Sequence, residues 1–286
     1  MRQEIIDLYD EFTHRGLDRR VFMQRLTALA GGTAAAVALV PLLEANYARA
    51  AVIAADDARV AAEPVSIPTD AGPLKGYLAK PAQAAGRLPA VLVVHENRGL
   101  NPHTEDIARR LALAGFLVLA GDFLSPSGGT PADQDKAREM IGALPPDRVV
   151  ADARAAIAWL RARPDGNGKV GIIGFCWGGG VVGQVATAAP DLDAGVVFYG
   201  RVPPIDAVPR IKAPLLLNYA GLDERINAEV PAFRQALDAA GATYTVHIYE
   251  GANHAFLNDT SEARYHPEAA KLAWERTVAF LTQRLG

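Results

Sequence analysis

The stretch Val170-Gly171-Ile172-Ile173-Gly174-Phe175-Cys176-Trp177-Gly178-Gly179-Gly180 decides how the chain folds. Lys169–Gly174 is apolar in the manner of a strand buried on both faces, and Trp177–Ala188 is a run of small and apolar residues suited to a helix. So abrupt a passage from strand to helix places Cys176 at the tip of a tight turn, in a strained backbone conformation. Its neighbours two positions away on either side must then press against each other, and Gly174 and Gly178 leave the room for that. The tip lies at a helix N-terminus, where free backbone N–H groups favour a thiolate over a thiol. Cys176 is the only cysteine in the chain. The pattern makes it the candidate nucleophile; the competing role is that of a small buried hydrophobe.

Outward from this turn, strand and helix signals alternate. Upstream, Glu63–Pro68 and Lys75–Lys80 read as an antiparallel pair turning at Asp70-Ala71-Gly72. Ala90–His95 and Phe116–Ala120 read as buried strands around a helix over Pro102–Ala114, and Ala132–Leu144 and Arg148–Arg163 as helices split by Pro145-Pro146. Downstream, Gly195–Tyr199, Pro214–Tyr219 and Thr243–Tyr249 read as strands, and Ala228–Ala240 and Pro267–Leu285 as helices. Strands alternating with helices of this length predict an α/β fold, a mostly parallel sheet covered by helices on both faces.

Composition narrows the function. Of 286 residues, 50% are hydrophobic and the net charge is −3, with no basic patch, so nucleic acid is not an expected partner. A single cysteine excludes an intramolecular disulfide. The histidines (His14, His95, His103, His247, His254, His266) show no metal-ligand spacing, so neither a metal nor a cofactor is expected. A monomer or a homodimer acting on a small molecule fits these bounds.

Residues 1–62 differ from the remainder, residues 63–286. Arg19-Arg20-Val21-Phe22-Met23-Gln24-Arg25 is similar to a twin-arginine export signal, followed by a mildly apolar stretch from Leu26 to Leu43 and a small-residue cleavage pattern at Ala48-Arg49-Ala50, with the cut before Ala51. Against export, Ile5, Ile6, Leu8, Tyr9 and Phe12 line one side of a helix ahead of the arginine pair, and Pro41 interrupts the apolar run. Two expectations follow. Either the segment is a signal and the protein is periplasmic, or it is a helical appendage retained on a cytoplasmic protein. The run is too short and glycine-broken for a stable membrane span.

A thiolate nucleophile needs a base, and the base needs an orienting acid. In the α/β-hydrolase fold the chain order is nucleophile, acid, histidine. Asp223 follows the strand Pro214–Tyr219, and His254 follows Thr243–Tyr249, both where ligands collect in open α/β sheets. Asp223 competes with a helix-capping role and with Glu224 as the acid. Glu96, after Ala90–His95, is a candidate to hold or remove the thiol proton, or else pairs with Arg98. The backbone N–H groups of Trp177 and Asn97 are the expected oxyanion donors.

With Glu96, Cys176, Asp223 and His254 in that order, the chain resembles the dienelactone hydrolase family over about residues 63–286. Gly166–Gly179, Phe198-Tyr199-Gly200 and Gly251–Phe256 carry the resemblance. It implies a cofactor-free hydrolase of enol-lactones such as carboxymethylenebutenolide, with Cys176, Asp223 and His254 as the triad and Glu96 controlling the thiol. A broader carboxylesterase or thioesterase is the alternative activity, and a non-catalytic ligand-binding protein of this fold the alternative class. Where that family holds a substrate carboxylate with arginines, this chain has Asn258 at one position and Gln134 near the other, with Lys136 and Arg138 close by. Arg98, Arg201, Tyr199 and Phe256 are the expected substrate-binding residues.

Overall fold

The computed structural model describes residues 1–47 and 52–286. The expected cleavage point at Ala50 lies outside the described residues.

Eight strands form one sheet in the order β1-β2-β4-β3-β5-β6-β7-β8. They are β1 (Val60–Ile67), β2 (Leu74–Pro81), β3 (Leu88–Val94), β4 (Leu117–Asp122), β5 (Gly166–Phe175), β6 (Ala194–Phe198), β7 (Leu215–Ala220) and β8 (Tyr244–Tyr249). β2 pairs antiparallel with β1 and β4, and every later pairing is parallel. The central strands β4, β6 and β7 are buried along their whole length, as continuous apolar runs require. β1 at the edge is mostly exposed and carries Glu63 and Pro64, which discourage pairing with another chain.

The helices of the main domain are α4 (Pro102–Leu113), α5 (Gln134–Gly142), α6 (Pro146–Arg161), α7 (Trp177–Ala188), α8 (Glu224–Asn227), α9 (Val230–Ala239) and α10 (Pro267–Leu285), after α1 to α3 at the N-terminus. On one face of the sheet Ile157, Leu160, Val182, Val185, Phe233 and Leu237 pack into a core from α6, α7 and α9. On the other, Ile107 and Leu111 of α4 join Ala273, Leu281 and Leu285 of α10. The helix expected over Ala228–Ala240 is α9, which starts at Val230 with Pro231 in its first turn, and the short α8 precedes it. The chain leaves β3 for β4 on one side and returns to β5 on the other. That switch opens a crevice at the carboxyl ends of β3 and β5.

Residues 1–47 include α1 (Gln3–His14), α2 (Arg19–Ala30) and α3 (Thr33–Leu43). Asp18 caps α2 through the Arg20 N–H at 2.8 Å, and Gly31 ends it with φ 80°. The helices share a core of their own, in which Ile5, Leu8, Tyr9 and Phe12 meet Phe22, Leu26 and Leu43. This unit docks on the carboxyl-end loops of the sheet. Asp10 approaches Arg264 at 3.5 Å, and the Arg264 guanidinium lies 5.1 Å over the Tyr9 ring. Arg138 donates to the Phe12 carbonyl at 3.0 Å, and the Asn46 N–H to that of Thr260 at 2.8 Å. Arg19, the first of the arginine pair, is bound by Asp135. Among the described residues no single helix is long and apolar enough to cross a membrane.

Candidate active site

Cys176 joins β5 to α7 with φ 54° and ψ −113°, a conformation L residues rarely adopt. Its N–H donates to the Phe198 carbonyl at 3.0 Å, and its own carbonyl accepts from Gly180 at 3.2 Å. A Cβ on Gly174 would stand 2.1 Å from the Gly178 carbonyl oxygen, and one on Gly178 2.4 Å from that of Val94. The two glycines are therefore a steric requirement of the turn.

Asp223 follows β7 and starts α8, its Oδ1 accepting from the Ile226 N–H at 3.2 Å. Its Oδ2 lies 2.5 Å from His254 Nδ1, with both side chains buried. The capping role and the acid role weighed for Asp223 thus fall on its two different oxygens. Bonded in this way, the imidazole keeps its Nδ1 proton toward Asp223. Its Nε2 is buried without a hydrogen-bond partner, and a ring nitrogen lies within 4.8 Å of the Cys176 sulfur. Burial pulls the His254 pKa down, but the negative Cys176 sulfur and the Asp223 carboxylate outweigh it and raise it to about 10. Burial pushes the Asp223 carboxyl up, and the His254 charge more than reverses it. The site therefore favours a protonated His254 ring beside the Asp223 carboxylate.

A third group stands at the sulfur. His14, the last residue of α1, places Nδ1 3.9 Å from Sγ, and its ring centroid is 4.5 Å from that of His254. Burial and then the His254 charge hold its pKa well below 6.5, so His14 is neutral. The sulfur and the two imidazoles are the one cluster among the described residues whose donor types suit a soft metal. The 3.9 Å separation of Sγ and Nδ1 exceeds the ~3.5 Å that tetrahedral zinc with ordinary bond lengths imposes. The spacing suits hydrogen bonding to sulfur better than a cation.

Glu96 lines a second, small cavity together with Cys176, His14 and His254. Its Oε1 accepts from the Tyr199 hydroxyl at 3.3 Å and its Oε2 from Asn258 Nδ2 at 3.0 Å. Asn258, standing where an arginine would hold substrate in the resembled family, instead holds this carboxylate, while its Oδ1 accepts from the Thr260 N–H and hydroxyl at 3.1 and 2.6 Å. Glu96 does not pair with Arg98, which donates to the Gln134 carbonyl at 2.7 Å and to Asp135 at 3.2 Å. Tyr199 is fully buried between Glu96 and the site, with φ 39°.

A cavity of about 520 Å³ opens above Cys176, lined by Trp177, Tyr199, Asn97, His254, His14 and Arg225 among others. This size suits a small organic ligand. Trp177 is the first residue of α7, so its N–H has no acceptor within that helix. Its ring is pinned by stacking on His95 at 5.2 Å. Asn97 uses its side chain to bind the Thr13 carbonyl at 3.3 Å. Arg201 reaches the cavity, yet its guanidinium is engaged by Glu229 at 2.8 Å. Phe256 does not line the cavity: it is fully buried against Tyr249, Phe198 and Tyr199, and so supports the loop of His254. Two lining residues had no signal in the sequence, because each reaches the site only through tertiary packing: His14 and Arg225; Arg138, noted beside Gln134, also lines the cavity. Among the described residues, no carboxylate pairs with Arg225.

The family model "Dienelactone hydrolase family" matches residues 74–285. A protein of Methylorubrum extorquens named "Putative carboxymethylenebutenolidase" is 32% identical over 284 residues, covering 94% of this chain and 96% of its own. Its alignment therefore reaches into the N-terminal helices. A relative of the same name from Yersinia pestis is 35% identical over 233 residues, covering 76% of this chain and 86% of its own. The crystal structure of a Klebsiella pneumoniae protein, "Putative Dienelactone Hydrolase", is 34% identical with a TM-score of 0.72, covering 78% of this chain and 99% of its own.

Proposed function

Because the chain belongs to the dienelactone hydrolase family, we propose that it hydrolyses a small lactone or activated ester with Cys176 as covalent nucleophile, His254 as its base and Asp223 as the orienting acid. The observation that carries this is the buried 2.5 Å bond from Asp223 to His254 beside a sulfur held at a strained turn. A binding protein has no need of such a set.

In this mechanism the thiol proton resides on His254, and the thiolate adds to the substrate carbonyl. The N–H groups of Trp177 and Asn97 bind the oxygen as it becomes anionic. Collapse breaks the carbon–oxygen bond, and His254 returns its proton to the departing enolate or alkoxide. Water then attacks the thioester, giving a proton to His254, and the thiolate leaves. Asp223 keeps the ring in one tautomer and stabilises its charged form. A sulfur nucleophile suits good leaving groups such as enolates. Arg225, unpaired at the cavity wall, supplies positive charge for an acid group on the substrate; Arg98 and Arg201, both ion-paired, are less suited to that task.

Turnover of p-nitrophenyl acetate and of an enol-lactone is the test. Cys176→Ala should lose about 10³-fold or more of the wild-type rate, and undiminished turnover would refute the nucleophile. The packing of α1 against the cavity also supports an appendage that stays on the mature enzyme. Protein isolated from its native host should keep its N-terminal helices by intact mass; a chain beginning at Ala51 would refute retention.

A further inference from the structure

The resemblance assigns control of the thiol to Glu96, but both Glu96 oxygens are occupied by Tyr199 and Asn258. A polar atom that does stand beside the sulfur is Nδ1 of His14, at 3.9 Å. α1 is fastened where it delivers this residue: Phe12 by Arg138 at 3.0 Å, Thr13 by Asn97 at 3.3 Å, Asp10 by Arg264 at 3.5 Å. His14 Nε2 is buried with no partner, so no other hydrogen bond accounts for an imidazole here. Burying that nitrogen is a cost, and the edge-on contact with His254 is one that phenylalanine makes as well.

We propose that His14 is a catalytic residue supplied by the appendage: its neutral imidazole donates Nδ1–H to the thiolate of Cys176, so that the sulfur is held between two histidines. This rests on Cys176 being the nucleophile. His254 contributes charge; His14 contributes a donor without charge. His14 shares its cavities with the basic groups His254, Arg225 of α8, Arg264, Arg98, Arg138 and Arg15 and with the acidic groups Glu96, Tyr47 and Cys176; the charges of His254, Arg225, Arg264 and Arg98 oppose a second proton on its ring. His14 transfers no proton in any step. The thiol proton goes to His254, the electron pair stays on sulfur, and the bond from His14 weakens once the sulfur is acylated. Because α1 carries it, the nucleophile is complete only while the appendage is docked.

Iodoacetamide alkylation of Cys176 against pH tests this in the wild type, His14→Phe and His14→Asn, with melting midpoints confirming the fold. His14→Phe should need a pH about one unit higher for half-maximal alkylation and lose about tenfold in kcat/KM. His14→Asn, which keeps an N–H donor, should recover part of both. Equal alkylation profiles in the wild type and His14→Phe would overturn the proposal, as would equal losses in the two variants. Nitrogen NMR of the wild-type histidines needs no variant to fold: a His14 protonated at Nδ1 supports the proposal, and one protonated only at Nε2 overturns it. Alkylation is read on the sulfur without turnover. Failure here is therefore distinct from failure of the hydrolase mechanism, which undiminished hydrolysis by Cys176→Ala reveals.

Discussion

At the scale of single residues, Asp223 and His254 have opposite and linked titrations. The folded pKa of His254 is raised above 6.5 to about 10, so its contribution to stability is complete below 6.5 and is lost as pH rises through about 10. The folded pKa of Asp223 is lowered from 3.8, so its contribution is present above 3.8 and is lost as pH falls below it. The urea midpoint should be highest between these limits, and His254→Gln should flatten the alkaline fall. An alkaline limb of equal steepness in that variant would place the titration elsewhere. Asp223→Asn keeps the shape and loses the charge; kcat should drop by about 10³ to 10⁴ with KM little changed, as steady-state kinetics will show. Cys176, Asp223 and His254 were legible in the sequence because each stands on a loop directly after its own strand. His14 was not, since 162 positions separate it from Cys176 and only packing joins them. The partners of Glu96 were hidden for the same reason: a carboxylate after β3 declares its position but not which way it turns.

At the scale of elements, the passage from β5 to α7 is the most constrained feature, and it was also the most legible. Glycines at fixed spacing between an apolar strand and a small-residue helix allow few other structures. Gly174→Ala forces a methyl group to within 2.1 Å of the Gly178 carbonyl oxygen. It should cost about 1–3 kcal/mol in urea unfolding and abolish turnover. The N-terminal helices were ambiguous, because an arginine pair followed by an alanine-rich helix suits both a signal and a packed helix. What separates the two is a partner surface, and a sequence does not display one. Phe12 stacks on Phe22 at 4.5 Å, with the Arg138 guanidinium 4.3 Å over its ring. Phe12→Ala should cost about 3–5 kcal/mol of local stability, seen as faster proteolysis within α1 to α3 and slower ester turnover together. Faster proteolysis with unchanged turnover would separate the appendage from the chemistry.

At the scale of the whole molecule, a net charge of −3 hides a cavity edged by Arg138 and Arg225. The overall balance says nothing of a substrate's charge, while the local one at the cavity is positive. Arg225→Ala should raise KM about tenfold for an ester bearing a carboxylate and leave a neutral ester nearly unaffected. Equal effects on both would mean that Arg225 shapes the cavity rather than recognises charge. The layered architecture followed from strand and helix alternation alone, while the assembly of the two units did not.

That assembly also sets a timetable for biosynthesis. α1 is made before any strand of the sheet, yet it is anchored by Arg264 and by Asn253, which meets Gln3 at 2.6 Å, and His254 lies in that same late stretch. α1 to α3 must wait until all eight strands have been made before they find their seat. Until then the solitary thiol has neither the two imidazoles beside it nor the cover of α1.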